Sequence, residues 1–368
     1  MAAVRTTSPA GIGDQIARLA AGDPGPGPWV ASPLDHRVEN MTTARLERRS
    51  GPLADGTPWS VVVKTLQPAS AHWSFAEIPS EFHAEVLEDL DWRAEPHVYR
   101  SGLGAALPPP MRMPEVHAIV EDGPGLVSIW MEDVDDVGPW DLARHGRTAA
   151  ALGALGGRWT GEQAADAFGL GGRDIGNLFC GKVLNHDLPM QADDAFWDDP
   201  VVAETVDEHH RRDLGRLADA IPGLLAAARA AATGVCHGDA SPDNFREPGD
   251  GTIVALDWSY GHVGVLGSDL AQLLAGRFAS GAAGDADPEP VADTVFEGYL
   301  DGLDRAGRSV DAAQVRLGFA LHLAVRFAFC ALPLEHHDGL DDEDRRRVLT
   351  PRARLARFAI DQALALAG

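Results

Sequence analysis

The sequence predicts an α+β protein of two lobes: a small antiparallel sheet lobe carrying a helix, then a larger, mostly helical lobe. Three observations lead there. β-Branched runs bounded by turn residues crowd the stretch before residue 66. Ala- and Leu-rich segments with helical spacing fill most of the chain after about residue 140. At 368 residues and 45% apolar content, the chain is long enough to bury two cores.

The elements follow in order. After a short helical segment, "GDPGPGPWVASP" (22–33) reads as a linker because Gly and Pro punctuate it. The compact fold is expected after it, with residues 34–133 as the first lobe and 134–368 as the second. "HRVENMTTARLERRSG" (36–51) reads as two strands around a tight turn at 40–43, and "WSVVVKTL" (59–66) as a third. Helical signals at 80–104 are interrupted by Pro96, which either kinks a helix or sits at the start of a new one. "LVSIWMEDVDD" (126–136) is an apolar strand running into acids. Helices are expected at 141–156, 200–232, 290–306, 311–332 and 351–366, the last starting with Thr350 as N-cap and Pro351 at the first helical position. One β-rich island interrupts them, with "CHGDASPDNF" (236–245) and "GTIVALDWSYGHVG" (251–264).

Charge narrows the partners. With 31 basic and 55 acidic residues the net charge is −24, a mean field that repels phosphate backbones and anionic lipid. Neither nucleic acid nor a membrane is expected as a partner. No run of about 18 apolar residues and no signal-peptide core is present, so the cytoplasm is the expected location. Cys180, Cys236 and Cys330, odd in number and far apart, suit reduced thiols. Only Lys64 and Lys182 are lysines. Arginine supplies generic positive charge here, so a lysine marks a place where a compact ammonium matters.

The island carries the chemistry. Asp239, Asn244 and then the short apolar run "TIVAL" leading to Asp257 form an arrangement suited to holding Mg²⁺ against a nucleotide. Mg²⁺ takes hard oxygen ligands, one or two from the protein and the rest from phosphates and water. Asn244 and Asp257 are the candidate ligands, leaving Asp239 to accept or orient the proton of an attacking hydroxyl. The alternative is a pair of polar turns. Lys64 follows three valines in a strand fit for burial, where an unpaired ammonium is costly. Nucleotide phosphates plus a carboxylate would partner it; otherwise it reaches solvent at the strand end. Lys182 either touches substrate or forms an ion pair.

"HGDASPDN", "ALDW" and "GSDLAQLL" together resemble the aminoglycoside phosphotransferase and choline kinase family, relatives of the protein kinases. The similarity runs from about residue 36 to 332 and includes "VVVK", "WMEDV" and "FEGYLDGL". It implies a bilobal protein-kinase-like fold and a small-molecule kinase using ATP or GTP with Mg²⁺. By this resemblance Asp239 is the catalytic base, Asn244 and Asp257 are the metal ligands, Asp269 braces the catalytic loop and His237 is architectural. Lys64 meets the nucleotide with Glu95 as its helical partner, Glu85 and Glu88 being alternatives. Glu132 and Val134 belong to the hinge that meets the base. Thr42 and Thr43 would cover the phosphates from a turn that lacks glycine, with Asn40 able to take a positive φ.

The acceptor is less constrained. Acidic runs at 187–199 and 335–344 would suit a cationic acceptor such as an aminoglycoside-like antibiotic, or they are solvated surface. A kinase of a neutral sugar or amino alcohol is the second reading, and a nucleotide-binding pseudokinase or regulatory protein the third. Oligomeric state is not legible.

Overall fold

The computed structural model describes residues 12–25, 29–34, 40–123, 125–332 and 340–368. Among them the strands are β1 Val30–Pro33, β2 Thr43–Pro52, β3 Pro58–Leu66, β4 Met111–Arg112, β5 Val116–Glu121, β6 Val127–Glu132, β7 Thr233–Cys236, β8 Phe245–Arg246, β9 Ile253–Ala255 and β10 His262–Val265. A five-stranded antiparallel sheet in the order β1-β2-β3-β6-β5 builds the first lobe. The valine-rich β3 lies at its centre, between β2 and β6, where β-branched side chains pack best. Alternation sorts its residues: Val61 and Val63 pack outward with Ile16, Ala118, Val120 and Trp130. Val62, Lys64 and Leu66 therefore face the other way, and Leu66 joins the main core. That parity aims the lysine at the second lobe.

Two expectations at the N-terminal side need correction. The helix Ile12–Ala20 is part of the first lobe, with Ile16 and Ala17 fully buried and Trp29 Nε1 donating to Asp14 Oδ1 at 3.0 Å. Val30–Pro33, read as the end of a linker, is the edge strand β1, paired from Val30↔Ser50 to Pro33↔Glu47. A proline is tolerated on an edge, and the partner strand supplies what local composition does not advertise. The first strand expected in 36–51 falls on 35–39, outside the described residues. The helical signals at 80–104 resolve into His83–Asp89, Ala94–Arg100 and Leu103–Ala106, with Pro96 in the first turn of the second.

The second lobe packs helices Leu142–Arg158, Glu208–Ala228, Asp269–Ala279, Pro288–Arg305, Ala312–Leu323 and Asp342–Ala367 around Leu152, Leu217, Ile221, Leu274, Tyr299 and Phe319. The expected helix 200–232 divides because Asp207 caps a new one, its Oδ1 accepting from His210 N at 3.0 Å. The last helix begins at Asp342 rather than after Thr350. Asp341 is its N-cap, three acids fill its first turn, and it continues through Pro351. Burying Leu349, Leu355 and Ile360 outweighs the one hydrogen bond the proline removes. Two stretches are π-helical, Phe179–Asp187 and Ala324–Ala328.

Two small sheets follow, and one of them joins this lobe to the first. β7 pairs antiparallel with β10, and β9 lies between β4 and β8. Met111 and Arg112 precede the expected boundary at 133, yet they pair with Ile253 and Val254 of the island. None of the described helices is long and apolar enough to cross a membrane. The three cysteines form no disulfide.

Candidate active site

The island loop is fixed from below. Asp269, buried at the start of Asp269–Ala279, accepts from His237 N at 2.9 Å and Gly238 N at 2.8 Å. Gly238 has φ 81°, and a Cβ there would lie 2.1 Å from Tyr260 O, so only glycine lets the chain turn at this point. His237 Nε2 lies 2.8 Å from Leu256 O. A carbonyl can only accept, so Nε2 carries the proton and Nδ1 accepts from Asp239 N at 3.4 Å. With its ring between Phe245 and Trp258, His237 is architectural, as the resemblance implies.

This scaffold presents Asp239 with both carboxylate oxygens engaged. Oδ2 accepts from Asn244 Nδ2 at 3.0 Å, and Oδ1 accepts from Gln272 Nε2 at 2.8 Å. Asn244 Nδ2 also donates to Asp239 O at 2.8 Å, so its amide nitrogen is committed and its carbonyl oxygen points elsewhere. Burial, and then the charge of Asp257, hold the Asp239 carboxyl above the usual carboxylate range.

Asp257 follows β9 with φ 52°, the only positive φ outside glycine among the described residues. A side chain held in that left-handed region is strained, as is common where function dictates geometry. Its Oδ1 accepts from Ser259 Oγ at 2.7 Å and lies 2.8 Å from Lys64 Nζ, which also reaches Glu95 Oε2 at 2.7 Å. The Lys64 and Glu95 side chains are only 7% and 1% exposed. Burial works against Lys64, but Asp257 and Glu95 overcome it and hold the ammonium above the ordinary lysine range. Burial raises Glu95 to about 7 despite Lys64. Burial opposes ionisation of Asp257 as well, yet Lys64 outweighs it and brings that carboxyl to about 2. At neutral pH Asp257 is a carboxylate.

The donor set fits Mg²⁺. Leu256 N donates to Asn244 O at 2.8 Å, which sets the two candidate ligands on adjacent segments. An ionised carboxylate and an amide oxygen are the hard donors that this ion takes from a protein.

Other expected site residues fare differently. Glu132 ends β6, where its carboxylate takes Arg112 at 2.6 and 2.8 Å and its N–H donates to Glu115 O at 2.8 Å. Val134 follows two residues on, half-buried. Thr42 and Thr43 are buried, at 5% and 7% exposure. Asn40 does not use a positive φ; its side chain accepts from Thr42 N at 2.9 Å and Thr42 Oγ1 at 2.7 Å, and Asn40 O accepts from Thr43 N at 3.2 Å. The Thr42 hydroxyl and both N–H groups are thus engaged within the turn, by the Asn40 side chain and carbonyl. Lys182 pairs with buried Asp187 at 2.7 Å.

Most of the described carboxylates in the acidic runs serve the fold. Asp187 also accepts from Cys330 Sγ at 2.9 Å, Asp193 and Asp199 cap helices, and Asp194 pairs with Arg211. In the second run, 335–339 lies outside the described residues, while Asp341 caps a helix and Asp342 and Asp344 pair with Arg345 and Arg347.

Gln272 is the functional neighbour that sequence reasoning did not single out. It stands three residues after Asp269 on one helix, a spacing that puts both on the face turned to the loop. Gln272→Ala is expected to lower kcat roughly tenfold or more, the scale of one hydrogen bond to a charged group. It should also move the acid limb of kcat/KM to higher pH, since a donor to the ionised form is lost. A pH–rate profile checks this; an unmoved limb would assign Gln272 to packing alone.

A Lys–Glu pair on a sheet lobe, facing a braced loop that carries Asp239, Asn244 and Asp257, is the site of a kinase-type phosphotransferase. A sequence model of the phosphotransferase enzyme family (APH) matches residues 55–309. The chain belongs to that family, small-molecule phosphotransferases with an alcohol group as acceptor. Among solved structures, an aminoglycoside phosphotransferase from Alicyclobacillus acidocaldarius is similar over 90% of this chain and 91% of its own, with TM-score 0.51 and 13% identity. A choline kinase from Streptococcus pneumoniae covers 96% of this chain and 98% of its own, with TM-score 0.47 and 11% identity. The first likeness supports the bilobal kinase-like fold. A search of curated protein sequences finds no match.

Proposed function

We propose that the protein transfers the γ-phosphoryl group of ATP or GTP to a hydroxyl of a small molecule, with Asp239 as the base. The observation that carries this reading is the engagement of Asp239 by Gln272 and Asn244 beside the Lys64–Glu95–Asp257 cluster. The acceptor oxygen forms its bond to the γ-phosphorus as the bond to the β–γ bridging oxygen breaks, and the nucleoside diphosphate leaves with that electron pair. Asp239 orients the hydroxyl and receives its proton. Lys64, held by Glu95, places its ammonium where α- and β-phosphate oxygens bind. Asn244 and Asp257 would hold Mg²⁺, which would supply charge neutralisation on the phosphates. The hinge at Glu132 and Val134 meets the base.

An acceptor of cationic, aminoglycoside-like type rested on the two acidic runs. Among the described residues most of those carboxylates cap helices or pair with basic side chains, so the runs no longer support that choice. The test is nucleotide consumption with a panel of alcohols. Diphosphate release should require an acceptor and Mg²⁺, stop with a chelator and return when Mg²⁺ is restored. Release that proceeds unchanged in the chelator would overturn the metal assignment, and none with any nucleotide would overturn the kinase reading.

A further inference from the structure

Gln272 has a second polar atom that the fold leaves open. Its Nε2 donates to Asp239 Oδ1 at 2.8 Å, while its carbonyl oxygen Oε1 accepts from no group among the described residues. Nor is Oε1 one of the buried polar atoms that lack a partner, so it meets solvent. That exposure is local. From Asp269 to Ala275 every residue except Gln272 is buried, and Asp239, which Gln272 touches, is half-buried as well. The two side chains therefore reach the surface at one place.

The helix Asp269–Ala279 fixes how the amide is presented. Asp269 takes the N–H groups of His237 and Gly238, Gln272 takes Asp239, and Gly276 packs against the same loop, where a Cβ would lie 2.6 Å from both Ser241 Oγ and Pro242 Cδ. Spacings of three and four residues put all three on one face. Turning the amide over would set Oε1 against the Asp239 carboxylate, lone pair against lone pair, so its donor stays on Asp239 and its acceptor stays outward. Amide geometry then places Oε1 about 2.3 Å from the nitrogen that holds Asp239, beside the position of a hydroxyl donating to that carboxylate. Ionised Asp239 and Gln272 Oε1 can only accept. A lone hydroxyl satisfies the first and leaves the second unpaired, and a ligand that displaces water from Oε1 without replacing its hydrogen bond loses affinity.

Building on the kinase reading, we propose that Gln272 Oε1 receives a second donor from the acceptor, a hydroxyl or ammonium on the carbon next to the one bearing the reacting hydroxyl. The acceptor is then a vicinal diol or amino alcohol, and Gln272 selects it while steadying Asp239.

The probes are cyclohexanols that differ only beside the hydroxyl: the vicinal diol, the vicinal amino alcohol, the mono-methyl ether of the diol, and cyclohexanol itself. Each is titrated, with protein chemical shifts as the readout, into protein saturated with a non-hydrolysable ATP analogue and Mg²⁺. The diol or the amino alcohol is expected to bind at least tenfold more tightly than the ether and cyclohexanol, and the better of the two identifies the donor as hydroxyl or ammonium. A smaller preference, a preference for the ether or cyclohexanol, or no binding of either donor-bearing probe overturns the inference. In Gln272→Met the preference should fall at least fivefold, and a smaller fall overturns it too. If that variant folds poorly, the order of affinities in the wild type decides alone. Turnover separates selection from support of Asp239. Losing Nε2 slows every acceptor alike, whereas losing Oε1 costs only those with a neighbouring donor, so the kcat/KM ratio of diol to ether should collapse in Gln272→Met. A ratio that survives while all rates fall would leave Gln272 supporting Asp239 alone and overturn the selection. If Asp239→Asn consumes nucleotide as fast as the wild type, the kinase reading falls while the order of affinities still decides the subsite.

Discussion

Asp239→Asn is expected to lower kcat by about 10³-fold while leaving the protein as stable as before or more so. The amide keeps the shape of the carboxylate but cannot take the hydroxyl proton, and a positioned base is worth on the order of 10²–10⁴ in rate. Its stability should move the other way. The folded site raises the pKa of Asp239, through burial first and the Asp257 charge second, so at neutral pH its ionised form costs folding free energy. Removing that charge relieves the repulsion, a trade of stability against activity expected at functional sites. Steady-state kinetics and a thermal melt on the same preparation check both halves. A kcat within threefold of wild type would remove Asp239 from the role of base.

Lys64→Met is expected to weaken nucleotide binding and turnover and to cost about 3–5 kcal/mol of stability, the usual penalty for breaking a buried ion pair from one side. The loss should depend on pH. Glu95 titrates at about 7 in the folded protein, above its unfolded value of 4.5. Stability from its protonated form is therefore complete below about 4.5 and disappears as pH rises through 7. Asp257 has the opposite sign: folded at about 2 against 3.8, it stabilises above 3.8 and loses that contribution as pH falls through 2. Without Lys64 the carboxyl of Glu95 stays protonated to higher pH, and ionising it becomes more costly. The Tm gap between wild type and variant should widen from pH 6 to pH 8. Parallel Tm curves would mean that the pair does not govern this region. Adding Glu95→Gln to Lys64→Met should recover stability but not activity.

Much of the site was legible because its chemistry is concentrated in a short stretch. Asp239, Asn244 and Asp257 lie within one island, and a lone lysine after three valines needs a partner wherever the strand goes. The losses were just as specific. The sequence did not show that Asn40 would engage the Thr42 hydroxyl and the N–H groups of Thr42 and Thr43 in its own turn. The acidic runs looked like a surface aimed at a ligand, whereas Asp193, Asp199 and Asp341 are helix caps. Thr350-Pro351 carried a good local start signal that a longer helix overrode through burial.

The sequence by itself determined the fold class and picked out Asp239, Asn244 and Asp257 as candidates for the base and the metal ligands, because these depend on residue type and short spacing. Only the tertiary structure decided which groups meet across the chain. Gln272 reaches Asp239 over 33 residues, and Arg326 reaches Gly238 over 88. Such pairings have no period and no motif. Helix packing around a shared core sets them, and burial then fixes the charge that each group carries.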